Sequence, residues 1–194
     1  MKYFLFFFLF IGAESAYAQL DVRIQWENSA STDAGDSIYY DSNRKLQWDD
    51  FQGMPDQRSI AAAVTSSGFG YSESMHSRNG KGILYITVNC FYNKSRSWVK
   101  QGMRSDYALV HEQHHFDITY LWACRFIAKL KAANFSDNNY NAVAERIYDE
   151  CFHGLENNQN EYDSQTRNGR IKIEQEAWNR KIDGQLAARV TNSR

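Results

Sequence analysis

From Asp106 to Ala132 the sequence reads as one long helix whose apolar residues, Leu109, Val110, Phe116, Ile118, Leu121, Phe126 and Ile127, fall on nearly every side. A helix that is apolar all round is buried all round, so the remainder of the chain has to enclose it. The same stretch contains His111-Glu112-Gln113-His114-His115. Burying such groups without partners costs roughly several kcal/mol, so whatever encloses the helix must also give them something to bind.

Successive helical residues are about 100° apart, which puts His111 and His115 on one face, about one turn from each other, with Glu112 beside them. This is the HExxH arrangement. Two neutral imidazoles suit zinc, and the carboxylate is placed to take a proton from a water whose pKa the metal has lowered toward about 7. Glu112 is the candidate general base; His111 and His115 are candidate metal ligands. A catalytic zinc of this type takes a third protein ligand and leaves one position for water. The metzincin pattern would place glycine and histidine in the next turn and a half, where this chain has Ile118 and Leu121, so the third ligand comes from further downstream. On the following predicted helix Tyr140, Val143, Ile147, Cys151, Leu155 and Tyr162 mark a buried side. Asp163, eight residues after Leu155, stays near that side and is the favoured ligand, with Glu156 and His153 as alternatives; Glu161 points away. His114, about 60° from His111, borders a substrate cleft, serves as an outer hydrogen-bond donor, or is an ordinary hydrogen-bonded histidine. Asp117, about 120° away on the other side, is placed to orient a histidine or pair with a basic residue.

The N-terminus has a different character. Lys2, an apolar run from Tyr3 to Gly12 and Ala16-Tyr17-Ala18 make the three parts of a signal peptide. The run is too short to span a bilayer, which takes about 20 residues. Residues 1–18 are thus expected to be removed on export to the periplasm or the extracellular space, leaving one domain over 19–194 with no membrane anchor. Val22-Ile24-Trp26 alternates like a strand, and a polar connection follows to about Asp41. Leu46 to Pro55 reads as a packed loop that closes on the chain's only proline. Strands are predicted over Ala61 to Tyr71 and Gly82 to Tyr92, the second with Leu84, Ile86, Val88, Cys90 and Tyr92 on one face, and Asn79-Gly80 between them is a hairpin signal. Helices are predicted over 106–132, 138–166 and 171–188, with Ser136 or Asp137 capping the second and Gly169 separating the last two. Strands followed by helices imply an α+β domain: a small antiparallel sheet in the N-terminal half, then a helical half carrying the HExxH helix.

A net charge of -1 with interspersed signs offers no attraction for nucleic acid. Cys90, Cys124 and Cys151 have no metal-ligand spacing and sit in apolar contexts, so they read as buried thiols; Cys124 and Cys151 are the pair to test for a bridge. Trp48, Phe51, Trp98 and Trp178 are expected to be core mass rather than ligand contacts.

The run Leu109 to Ile118 resembles the signature of the secreted bacterial proteins grouped as the domain-of-unknown-function nine-twenty-two family, described as zinc-dependent proteases. Leu46 to Pro55 is similar to that family's L-x-W-x-D-F-x-G-x-P segment, Ser97-Trp98-Val99 to its strand end, Tyr162-Asp163 with Thr166 to its Y-D-x-x-T element, and Gln175 with Trp178 to its Q-x-x-W element. The resemblance spans roughly residues 44 to 182. Many members have glycine where this chain has His114 and histidine where it has Asn168. The resemblance implies a zincin-like peptidase acting on a peptide or protein substrate. The competing expectation is a non-catalytic periplasmic or secreted binding or assembly factor that retains a zinc-stabilised scaffold.

Overall fold

The structure is a computed structural model that describes residues 20–27, 33–78 and 81–192. The expected signal peptide and the Asn79-Gly80 turn lie outside the described residues. Among the described residues seven strands precede three helices: β1 (Asp21–Trp26), β2 (Asp33–Ala34), β3 (Ser37–Tyr39), β4 (Ala63–Val64), β5 (Ser67–Arg78), β6 (Lys81–Asn93), β7 (Trp98–Val99), α1 (Asp106–Ala132), α2 (Tyr140–Thr166) and α3 (Lys172–Asn192). The chain is a mixed α+β fold with its sheet in the N-terminal half and its helices in the C-terminal half.

The sheet is organised on β6. Its period-two face, Leu84, Ile86, Val88, Cys90 and Tyr92, is almost completely buried, because α1 packs across it. One edge of β6 is filled by β5 in an antiparallel ladder from Ser67 to Arg78. The other edge is shared: β1 lies parallel to Ile83–Val88, and β3 lies antiparallel to Phe91–Asn93. The sheet is therefore mixed rather than antiparallel. A parallel pair needs a connection of a dozen residues or more, and the long excursion through β2 to β5 supplies one. The predicted strand from Ala61 to Tyr71 is also broken. Thr65 and Ser66 leave the ladder, Thr65 turning to Glu112 and the Ser66 amide donating to Ser97 Oγ at 2.9 Å, so that β4 pairs with β7 instead.

Enclosure of α1 explains its composition. The helix faces β5 and β6 on one side and α2 and α3 on the others, and every residue from His111 to Thr119 is buried. The packed loop at Leu46 to Pro55 contains a single turn of 3-10 helix over Trp48–Asp50 and is tied to α1 by the Leu46 amide, which donates to Gln113 Oε1 at 2.8 Å. Phe51 and Trp178 are buried, and Trp48 and Trp98 are half-buried. The N-cap of α2 is Asn139, whose side chain accepts from the Ser136 amide at 2.8 Å, so neither Ser136 nor Asp137 caps the helix. At its other end Arg167, Asn168 and Gly169 all have positive φ (49°, 53° and 76°), and this left-handed turn reverses the chain into α3. A Cβ on Gly169 would approach the His111 ring at 3.3 Å, so the glycine lets the turn lie against that histidine.

All three cysteines are buried free thiols. Cys124 and Cys151 do not bridge because they occupy different surroundings: Cys124 neighbours Tyr120 and Cys90 on the sheet side of α1, whereas Cys151 neighbours Arg125 and Lys129. Burial pushes each thiol upward, which keeps it protonated and unreactive.

Gly53 backs onto the turn between β6 and β7. A Cβ there would stand 2.6 Å from the Ser95 carbonyl oxygen and 2.8 Å from that of Ser97, and main-chain atoms cannot rotate away. Gly53→Ala is expected to lower stability by about 1–3 kcal/mol, read as a shift of the urea midpoint at constant slope; an unchanged midpoint would show that the turn yields freely.

Candidate metal centre

His111 and His115 lie on the face of α1 that meets α2, one turn apart as the HExxH spacing requires, and α2 brings Asp163 opposite them. Asp163 Oδ1 is 3.2 Å from His111 Nε2 and 3.1 Å from His115 Nε2, and the two Nε2 atoms are 3.2 Å apart. A small divalent metal in tetrahedral coordination, with bonds of about 2.0–2.1 Å, separates its ligand atoms by about 3.3 Å. The three atoms already stand close to that triangle.

Their protonation follows from what holds each ring. His111 Nδ1 is 2.8 Å from Gln175 Oε1, and the Gln175 amide nitrogen donates to Tyr162 Oη at 2.5 Å and to Asn179 Oδ1 at 2.7 Å. His115 Nδ1 meets Gln159 Oε1, while the Gln159 amide nitrogen donates to the His115 carbonyl at 2.9 Å and to Thr119 Oγ1 at 3.2 Å. Each amide is thus fixed with its oxygen toward the ring, each ring donates through Nδ1, and each ring in its neutral form presents a lone pair at Nε2. Tyr162 completes the setting by stacking on His111 with ring centroids 4.6 Å apart. Two lone pairs and a carboxylate oxygen facing one another at these distances repel. A cation has to stand between them, and a metal ion or a proton can do so.

Without a metal the proton takes that place. Burial pulls His115 down, but the hydrogen bond and charge of Asp163 outweigh it and push its pKa up to about 9. Burial likewise favours protonation of Asp163, yet its bonds to His111 and His115 hold the carboxylate well below its usual range.

The cluster forms part of the wall of an open cleft of about 530 Å³. Glu112 lines the same cleft without joining the cluster: it is buried, and its Oε2 accepts from Thr65 Oγ1 at 2.7 Å. The other candidates fall elsewhere. Glu156 lines the cleft, but it is exposed, is bonded to the exposed His153 Nδ1 at 3.2 Å, and lies outside the metal-holding group. Glu161 is exposed and accepts from Gln165. His114 does not border this cleft; it faces α3 with Nε2 3.3 Å from Asp183 Oδ1, and burial lowers its pKa. Asp117 accepts from Tyr40 Oη at 2.8 Å and Gln113 Nε2 at 2.9 Å, with the Lys45 ammonium 3.8 Å away, so it orients no histidine of the cluster. Asn168 lines the cleft outside the metal-holding group.

The sequence reading assigned no role to Gln159 or to Thr65. A signal existed for the first: Gln159 and Asp163 stand four residues apart and therefore share a helix face. Thr65 carried none, since in a predicted strand it is one β-branched residue among others.

No protein-family model, curated protein or solved structure matches the chain. The chemistry rests on the geometry.

The proton at His115 makes two outcomes measurable. Metal binding at pH 7 must displace it, so titration in buffers of different ionisation enthalpy should show proton release, with affinity rising as pH rises toward about 9. In the metal-free protein the raised His115 pKa contributes stability that is complete below the unfolded value of about 6.5 and is lost as pH rises through about 9. Gln159→Ala should weaken metal binding by about 10–100-fold, checked by competition with a chromophoric chelator; equal affinity would show that the amide does not hold the ring.

Proposed function

We propose that the protein is a zinc-dependent amide hydrolase, a zincin-like peptidase acting on peptide or protein substrates, exported after removal of residues 1–18. The observation that carries this reading is the triangle of His111, His115 and Asp163 in the wall of an open cleft beside the carboxylate of Glu112. The donor set fits zinc: two neutral imidazoles with their outer nitrogens committed to glutamine oxygens, and one carboxylate. Among the described residues the metal-holding group has three members, fewer than the four that a structural zinc site usually has, and those three line the cleft. Structural zinc sites usually fill all four positions and are rich in cysteine. Such an open site beside a carboxylate favours catalysis over a purely stabilising role.

When bound, zinc supplies a Lewis acid that polarises the amide carbonyl and lowers the pKa of water. The protein's own groups do the rest. His111, His115 and Asp163 hold the metal, and Gln175 and Gln159 keep both rings in the tautomer that can bind it. Thr65 binds Oε2 of Glu112 and leaves Oε1 without a hydrogen bond among the described residues. That oxygen takes the proton of the attacking water and delivers it to the leaving nitrogen. Burial of Glu112 strengthens both steps, because the surrounding protein screens charge less than water does.

No helix among the described residues is long and apolar enough to cross a membrane.

The purified mature chain should carry one zinc, measured by elemental analysis. Glu112→Gln should keep that zinc and lose roughly 10²–10⁴-fold in kcat. An unchanged rate would remove Glu112 from the reaction, and a chain that takes up no transition metal would overturn the enzyme reading as a whole.

A further inference from the structure

The cleft is lined by residues of both charges. α2 contributes Glu156, while the segment around β4 and the start of β5 and the turn between β6 and β7 contribute the rest of the lining outside α1, with Arg96 on that turn. Among the described residues lining the cleft, Arg96 is the one Lys or Arg. The three carboxylates that share the cleft are already engaged: Glu112 with Thr65, Asp163 with the two imidazoles, and Glu156 with His153. The Arg96 guanidinium has no hydrogen bond or ion pair among the described residues, and its main-chain amide is the group that bonds, to Asn93 Oδ1 at 2.9 Å.

The turn beneath it is clamped. Asp36 accepts from the Ser95 amide, Ser95 Oγ and Asn93 Nδ2, each at 2.8 Å. Ser97 Oγ donates to the Asn93 carbonyl at 2.6 Å and accepts from the Ser66 amide, and the Gly53 amide donates to the Ser97 carbonyl at 2.7 Å. An arginine on a fixed backbone, facing a metal cleft with no partner of its own, offers a planar pair of donors to an incoming group. The group that matches this fork is a carboxylate.

We propose that Arg96 is a specificity-determining residue that binds a substrate carboxylate, so that the amide presented to His111, His115 and Glu112 is flanked by an acidic side chain or by a free chain terminus. The inference rests on the hydrolase reading for the word substrate, and on the cleft alone for the carboxylate. Glu156, the acidic residue that α2 contributes beside the metal-holding group, repels a carboxylate placed next to it and so favours the same pairing with Arg96. The substrate therefore lies with its acidic group toward the β6–β7 turn.

The test uses the full mature chain with one equivalent of zinc and the Glu112→Gln substitution to prevent turnover. Binding is measured by fluorescence anisotropy for labelled peptides that differ only by Glu against Gln at each position around a central amide, each made with a free and with an amidated C-terminus. Tighter binding of a carboxylate-bearing peptide by about ten- to a hundredfold, lost in Arg96→Gln and partly kept in Arg96→Lys, is the expected result. The Glu/Gln arm reports a side-chain carboxylate and the terminal arm a chain end. Equal affinity for acidic and neutral peptides, a preference that survives Arg96→Gln, or no binding of any peptide would overturn the proposal. Selective binding without cleavage by the unsubstituted chain would instead end the hydrolase reading and leave the role of Arg96 standing.

Discussion

Two imidazole nitrogens and a carboxylate oxygen held 3.1–3.2 Å apart in a largely buried site cannot all remain bare. The protein does not relieve this by turning the rings over, because Gln175 and Gln159 occupy the Nδ1 side of each and are themselves fixed by further hydrogen bonds. A cation is therefore part of the folded arrangement. In the metal-free chain it is the proton on His115; a metal ion that takes the same place meets ligands that need little rearrangement.

Much of the fold serves to hold that triangle. The sheet supplies an apolar floor through Leu84, Ile86, Val88, Cys90 and Tyr92, which seats α1 along one side. α2 then contributes Gln159 and Asp163 from a single face, one gripping a ring and the other meeting it at the metal position. α3 contributes a stripe at four-residue spacing, Gln175, Asn179 and Asp183, of which the first holds His111 and the last meets His114. The left-handed turn at Arg167, Asn168 and Gly169 joins α2 to α3 closely enough for both helices to reach α1. Any element that slipped by one helical residue would rotate its contribution by about 100° and lose its contact.

The parts of this arrangement legible in the sequence are those set by short-range periodicity. His111 and His115 share a face because four residues make about one helical turn, and Asp163 was placed by extending the buried stripe of α2 through Leu155 and Tyr162. The same reasoning leaves open features that depend on what lies across from a side chain. His114 is an ordinary hydrogen-bonded histidine and Asp117 has the basic residue Lys45 beside it, each one of the open alternatives, but the partners Asp183 and Tyr40 stand 69 and 77 residues away in the chain. Thr65 looked like a strand residue, and its departure from the ladder toward Glu112 is a tertiary contact. The direction of β1 was equally invisible, since alternation identifies a strand face but is identical for parallel and antiparallel neighbours.

The sequence by itself determined that a long helix had to be enclosed, that its histidines stood on one face, and that a sheet would precede three helices, because these follow from the local geometry of the backbone and the aversion of apolar surface to water. Only the tertiary structure decided that Asp163, rather than Glu156 or His153, meets the two rings, that glutamines from two other helices choose their tautomers, and that Arg96 faces the same cleft. Distance, orientation and shared burial between segments remote in the chain are set by packing. No periodicity within one segment encodes them.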